Sequence, residues 1–218
     1  MIRSRVGTFV RSLSVVAEAS IASTVPKSRQ HGARFALFPT PTVVTPPFEL
    51  SRSLGNLISK LTYLGFELGY TDAKFASGAE SAIALAAKCI KQNDSAAMSA
   101  IMLSPCVSKL RQRLDEIPPE LVQKRFDFTR DNIIYSGYHS SVISSNKAFN
   151  LDVGEMTYFS TAIAVIQPDS TKRVSLRTAI SKATPDTLFC NITVCRQLSP
   201  LGLWRISDIN FFDQSFVP

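Results

Sequence analysis

The chain has 218 residues, of which 45% are hydrophobic and 19% are charged, and its net charge is +7. This composition is typical of a globular protein with a buried core, and it excludes a chain that is disordered throughout. The charge is uneven, because residues 1–48 hold six Lys or Arg and a single acid, while the rest carries only +2. The nearly neutral remainder argues against a nucleic-acid-binding protein, and we expect no DNA partner.

The first 35 residues have the composition of a mitochondrial transit peptide, since they are rich in Arg, Ser and Ala and poor in acids. Phe9, Val10 and Leu13 are spaced for one face of a helix. No long apolar run is present in this segment, so a secretory signal fits badly. We therefore predict a transit peptide over 1–35, with processing soon after Phe35.

Four prolines within residues 36–50 predict an extended linker. The folded domain is then predicted over 51–218. No later run reaches the roughly 18 uninterrupted apolar residues of a membrane span, so we expect at most a peripheral membrane contact.

The first predicted helix covers residues 53–68 and has two apolar sides. One side is an aliphatic stripe at helical spacing. Tyr63 and Phe66 lie on the other side, near Lys60. Two interpretations stay open: these aromatic residues belong to a helix that docks on a membrane or partner, or the fold covers both sides. The aliphatic stripe comprises Leu54, Leu57, Ile58, Leu61, Leu64 and Leu68.

Further helices are predicted over 72–92, over 95–103 and from residue 104 to the proline pair that follows Ile117. Ser104 is expected to cap the last of these, with Pro105 at its first position. Three cations of this helix project away from its apolar stripe, and they suit either an acidic or RNA partner or a solvated surface. These cations are Lys109, Arg111 and Arg113.

After residue 130 the apolar period changes to two, and five segments read as β-strands: "NIIYSGYHSSVI", "MTYFSTAIAVI", "RVSLRTAI", "LFCNITVCRQL" and "LWRISDINFF". The alternation shifts within the last segment, which predicts a bulge near Ser207 and Asp208. Helices followed by antiparallel strands indicate an α+β fold. We expect a curved, mainly antiparallel sheet wrapped over helices, in the shape of a cone with a groove.

Four passages resemble the Tim-forty-four-like domain family, a mitochondrial branch of the nuclear-transport-factor-two-like cone folds, also called cystatin-like. "GYTDAKFASGAESAIALAAKCIKQND" is similar to the family's entry helix, through Asp72, Phe75, Gly78, Ala79 and Ala82. The passages "LSPCVSKLRQRLDEIPPE", "DNIIYSGYHSSVI" and "LWRISDINFF" resemble its later helix, first long strand and tryptophan-led last strand. The resemblance spans residues 51–213, although "KRVSLRTAISKA" matches none of its motifs.

Within the family, the likeness is greatest to a member that interacts with the m-AAA protease. It implies a non-enzymatic adaptor in the mitochondrial matrix, peripheral to the inner membrane. Such an adaptor associates with the AAA protease and assists the maturation of small inner-membrane proteins. The alternatives are a structural protein of the large mitoribosomal subunit and a membrane tether of the import-motor type.

Cone folds also include isomerases and dehydratases, so an enzyme is a further alternative. Tyr135, His139 and Asp208 are the candidate pocket residues, and His139 beside Asp208 would form an oriented base. These are fragments of a catalytic set, and the sequence has no glycine-rich phosphate loop. Two histidines, and four cysteines without the close spacing of a metal site, favour neither a metal site nor a cofactor, and we expect reduced, partly buried thiols.

Overall fold

Helices come first along the chain, and a four-stranded antiparallel sheet follows, so the predicted α+β class is confirmed. The computed structural model describes residues 34–39, 50–145 and 156–217. The strands are β1 Ile133–Ser145, β2 Met156–Ile166, β3 Leu188–Gln197 and β4 Arg205–Asp213. The helices are α1 Leu50–Leu64, α2 Asp72–Gln92, α3 Ser95–Ile101, α4 Ser104–Glu116, α5 Pro119–Arg125 and α6 Leu176–Ser181.

Helix α2 has the bounds that its sequence pattern predicts. Thr71 Oγ1 accepts the Lys74 backbone N–H at 3.2 Å and caps its start. Asn93 ends the helix in the left-handed conformation, with φ at 51°. Helix α3 is shorter than predicted. Helix α5 was not predicted from the sequence, and it begins at Pro119, where the missing N–H costs no helical hydrogen bond.

Helix α4 starts at the predicted place, but the predicted cap is wrong. Leu103 is the residue before the helix, and no side chain caps it. The reason is tertiary, because the Leu103 N–H donates to the Ile206 carbonyl of β4 at 2.9 Å. This bond holds Leu103 in an extended conformation, and Ser104 becomes the first helical residue.

The strand predicted for "RVSLRTAI" is wrong, since residues 176–181 form helix α6. Ser175 Oγ accepts the Thr178 backbone N–H at 3.3 Å and caps it. Leu176, Ala179 and Ile180 also match a helical spacing, and they pack on the face of the sheet away from α2. A run this short fits both periods, and the packing decides between them.

The strands follow one another in the order β1-β2-β3-β4, each antiparallel to the next. The main core lies between α2 and one sheet face, where Ile83 and Ile90 meet Ile192 and Ile209. Ala79 and Ala86 of α2 belong to the same core, and their small side chains allow the helix close to the strands.

The predicted bulge in β4 is confirmed. Thr193 pairs with Asp208 and Val194 pairs with Ile206, so Ser207 is the extra residue. Its Oγ donates to the Thr193 carbonyl at 3.1 Å. The bulge shifts the alternation so that Ile206 joins the main core together with Ile209 and Phe211.

Residues 35–38 lie along the free edge of β4. The Leu37 N–H donates to the Phe211 carbonyl at 2.7 Å, and the Asp213 N–H donates to the Phe35 carbonyl at 2.9 Å. The predicted start of the linker, residue 36, is therefore too early. The apolar residues 35–38 precede the first proline and are held by the sheet. Residues 1–33 and 40–49 of the predicted leader and linker lie outside the described residues.

A buried carboxylate ties α2 to the second half of the chain. Glu80 is 4% exposed, and both of its oxygens accept bonds from the Arg173 guanidinium, at 2.8 and 2.7 Å. Arg130 Nε donates to the same group at 3.3 Å, and Ser136 Oγ donates to it as well. The bidentate, charge-assisted geometry makes this one of the strong polar contacts of the fold.

The change Glu80→Gln is expected to lower the free energy of unfolding at pH 7 by about 2–3 kcal/mol, because it breaks a buried ion pair whose arginines are half-exposed. Burial raises the pKa of Glu80, but hydrogen bonds from Arg173 and Ser136 outweigh it and hold the pKa below its ordinary value. The stabilisation from ionised Glu80 is therefore complete above about pH 4.3, the ordinary pKa of Glu. It is lost as the pH falls through the lower pKa that Glu80 has in the folded state.

Urea unfolding of both proteins at pH 7 and at pH 3 measures this effect. The matched control is Asp127→Asn, which removes an exposed pair with Lys91 and should cost less than about 1 kcal/mol. Equal losses in the two variants, or a Glu80→Gln loss that does not shrink at pH 3, would contradict the assignment.

Candidate functional site

Helix α1 packs on strand β1 with its more polar side. Asn56 Oδ1 accepts the Ser141 backbone N–H at 3.0 Å, and Ser59 is buried in the same contact. Tyr63 follows one turn later and is fully buried. The aliphatic side of the helix therefore points away from the sheet.

Four aliphatic side chains on that outer side form what we call the leucine face. Each of them is between 53% and 60% exposed. Folded proteins seldom display neighbouring large apolar side chains to this extent unless something binds them. The leucine face consists of Leu54, Leu57, Ile58 and Leu61.

The predicted docking set of Tyr63, Phe66 and Lys60 needs correction. Tyr63 is buried, and Phe66 lies beyond the end of the helix, 41% exposed. Lys60 Nζ donates to Asp72 Oδ2 at 2.7 Å and lies 3.5 Å from the centre of the Tyr138 ring. The helix has apolar residues on two sides, and the tertiary contacts bury the aromatic side rather than the aliphatic one.

Tyr63 lies in an aromatic cluster that also holds the single tryptophan. Its ring stacks on Tyr158 with centroids 4.2 Å apart, and the Tyr70 ring meets its edge at 4.8 Å. Trp204, just before β4, is 5.8 Å from Tyr63 and 6.2 Å from Phe75. These rings join α1, α2 and the sheet, so Trp204 acts as a packing anchor.

A polar group closes one side of the aromatic cluster. Arg196 of β3 donates to Glu67 Oε2 at 2.8 Å and to the Tyr63 hydroxyl at 3.0 Å. The Tyr63 hydroxyl in turn donates to Glu67. Burial, together with the bond to Glu67, raises the pKa of Tyr63 well above its ordinary value, so the hydroxyl keeps its proton at physiological pH.

A small cleft opens beside this cluster, with a volume of about 200 Å³. Its lining includes the aromatic residues Trp204, Tyr70 and Phe75, and Gly78 and Ala82 of α2. Glu67 and Lys74 also line it. Most of the lining is apolar.

The predicted basic partner face on α4 is not a set of free cations. Lys109 pairs with Asp208 at 3.1 Å and lies over the Phe38 ring. Arg113 Nε donates to the Leu37 carbonyl at 2.7 Å, so it holds the segment at the edge of β4. Arg111 alone of the three has neither contact and is exposed. Two of the three cations therefore also make contacts within the fold.

The structure does not bring His139 and Asp208 together. His139 lies on β1 and Asp208 on β4, at opposite edges of the sheet. A ring nitrogen of His139 is 2.9 Å from Ser140 Oγ, and Asp208 pairs with Lys109. Tyr135 packs with the apolar cluster under α6. The three candidate pocket residues therefore do not form an acid–base constellation.

In the described part of the chain, no three His, Cys, Asp or Glu side chains are grouped to hold a metal ion. The four cysteines are free thiols, as predicted, and all four are buried rather than partly buried. Burial raises the pKa of Cys106 to about 12 and that of Cys195 to about 11, so both stay protonated. None of the helices in the described ranges has the length and apolarity that crossing a bilayer requires.

The exposure of the leucine face was missed from the sequence, since an aliphatic stripe ordinarily predicts a core. The polar residues Asn56 and Ser59 beside Tyr63 carried no sign that their side would be the buried one. The contact of Asn56 with β1 joins residues 85 positions apart, and such a contact has no local sequence pattern.

Comparisons with known proteins assign no family to this chain. A scan against protein-family models found no model that matches, and a search of curated proteins found no match.

Proposed function

We propose that this chain is a non-enzymatic adaptor of the mitochondrial matrix, peripheral to the inner membrane. In this proposal its α+β domain belongs to the cone-shaped Tim-forty-four-like folds. It associates with the m-AAA protease and assists the maturation of small inner-membrane proteins. The observation that carries the proposal is the exposed leucine face of α1, which is suited to binding and not to catalysis.

The spacing of the leucine face favours a helix as its occupant. Leu54, Leu57, Leu61 and the half-buried Leu64 follow one another at intervals of three, four and three residues. This is the seam spacing of helices that pack side by side, with each side chain inserted among those of the partner. An amphipathic helix that binds in an apolar groove uses anchor residues at the same spacing, i, i+3 and i+7.

The charge around the leucine face favours an apolar helix. Residues 50–66 contain no acid, and their two bases are Arg52 and Lys60. Lys60 is already neutralised by Asp72, so it adds little attraction for anionic lipid. A seam with so few charged neighbours selects its partner mainly by apolar packing. A hydrophobic helix of a small inner-membrane protein has this chemistry, and we propose it as the occupant.

Site-specific crosslinking in intact mitochondria tests the proposal. A photo-crosslinking residue at Leu57 of the full chain is expected to capture the AAA protease or a small inner-membrane protein. The same residue at Arg111, on the surface of α4, is the control and should not capture them. Recovery of large ribosomal subunits from both positions, with no protease or client, would overturn the proposal in favour of a mitoribosomal protein.

A further inference from the structure

The backbone nitrogen of Phe35 meets a buried carboxylate. It lies 2.7 Å from Asp213 Oδ2, and both residues are buried, at 3% and 7% exposure. This separation is at the short end for a backbone amide donor, as expected for a bond to a charged acceptor. The contact joins the first well-packed residue of the folded unit to the last residue of β4.

Within the described residues, the buried carboxylate of Asp213 is bonded by neutral donors and not by a cation. Its other oxygen, Oδ1, accepts the Ser215 backbone N–H at 2.9 Å and the Ser215 hydroxyl. Among residues 34–39, 50–145 and 156–217, no Lys, Arg or His forms an ion pair with it. An unpaired buried charge is costly, so a positive group at this position would stabilise the fold.

Phe35 is a buried residue near the start of the described chain. Its ring meets the edge of Phe126 at 6.1 Å and lies 5.5 Å from the Arg125 guanidinium. Arg34, one residue earlier, is exposed. Removal of the leader at the Arg34–Phe35 bond would leave this packing intact. Cleavage after Phe35, as the sequence predicted, would delete a core side chain and the contact with Asp213.

We propose that the leader is removed by hydrolysis of the Arg34–Phe35 peptide bond, and that the new α-ammonium group of Phe35 pairs with Asp213. Water supplies a hydroxyl to the Arg34 carboxyl group and hydrogen to the Phe35 amine, which takes up a further proton from solvent at neutral pH. One N–H of the ammonium points to Asp213 Oδ2, and loss of Arg34 opens the other two to water. The leader's removal thereby supplies the missing cation. The inference rests on the proposed mitochondrial import, which provides the processing step.

The mature N terminus tests this directly. Protein purified from mitochondria and analysed by intact mass and N-terminal peptide sequencing is expected to begin at Phe35. A mature chain that begins at Ala36 or later, or that retains Arg34, would overturn the inference while leaving the adaptor proposal standing. An unprocessed chain outside mitochondria would instead overturn the proposed location, and cell fractionation separates these two failures.

A pH titration of thermal stability provides a second test on the mature protein. An α-amino group has an ordinary pKa of about 7.7–8.0, and a buried carboxylate beside it raises that pKa in the folded state. The ion pair therefore stabilises fully below about pH 7.7 and loses its effect as the pH rises through the higher folded value. Arg125 over the Phe35 ring and Arg113 on the Leu37 carbonyl also face this segment, but they stay charged throughout this range.

Asp213→Asn should lower the Tm of the mature protein by at least about 3 °C at pH 7, and the difference should shrink markedly by pH 10. Asp208→Asn, at an exposed pair with Lys109, is the control and should show little change across this range. The precursor, whose Phe35 nitrogen is an amide, should lack this pH dependence. The Tm difference between the unchanged protein and Asp213→Asn is the quantity to compare. If it is the same at pH 7 and pH 10, or equal in the precursor and the mature protein, the proposed ion pair is overturned.

Discussion

Replacing Tyr63 by serine is expected to lower the free energy of unfolding by roughly 3–5 kcal/mol, the largest effect of any single change considered. The ring is fully buried and stacks on Tyr158, so its loss leaves a cavity where α1 meets the sheet. Its hydroxyl also bonds Glu67 and Arg196, which would lose a partner in a half-buried site. Chemical denaturation of the purified protein measures the difference.

Phe66→Ser is the matched control, because this aromatic residue follows α1 but is 41% exposed. It should change the free energy of unfolding by less than about 1 kcal/mol. Similar losses from the two substitutions would contradict the orientation of α1 described above. A stable Tyr63→Ser protein with weakened membrane or partner association would restore the alternative that Tyr63 lies on the docking side.

The double change Leu57→Gln and Leu61→Gln is expected to reduce capture of the partner helix at least tenfold. Each leucine is more than half exposed in the free protein. Full burial of a leucine stabilises a complex by about 1.5–3 kcal/mol, and 1.4 kcal/mol is a factor of ten in affinity. Quantitative co-purification of the AAA protease and its clients with the full chain measures the loss.

The Tm should stay within about 2 °C of the unchanged protein, because neither leucine packs in the core. Leu203→Gln, at an 86% exposed leucine outside the leucine face, is the control and should leave capture unchanged. Loss of capture with Leu203→Gln alone, or undiminished capture by the double variant, would show that partners bind elsewhere. A fall in Tm of 8 °C or more, the equivalent of about 2–4 kcal/mol, would show that the face is covered within the protein.

Elements with a long, regular pattern could be predicted from sequence. The bounds of α2 follow from a helical stripe over 21 residues, with Thr71 before it and Asn93 after it. The bulge in β4 follows from the change of alternation at Ser207. In each case the pattern is local, and the tertiary structure needs only to place an element that the sequence already specifies.

Short segments could not be assigned in this way. "RVSLRTAI" alternates like a strand, yet the same residues place Leu176, Ala179 and Ile180 on one side of a helix. A single turn and a short strand differ little in local free energy, so packing under the sheet decides between them. The candidate site depends even more on distant contacts, since His139 and Asp208 were separated by strand order alone.

By itself, the sequence determined the α+β class, the bounds of α2, the free thiols and the bulge in the last strand, because these depend on periodicity and residue type. Only the tertiary structure decided which side of α1 is buried, that Phe35 belongs to the core, and that Lys109 and Arg113 are used internally. The physical reason is that each of these depends on a partner more than 70 residues away in the chain. Local propensity carries no information about such a partner.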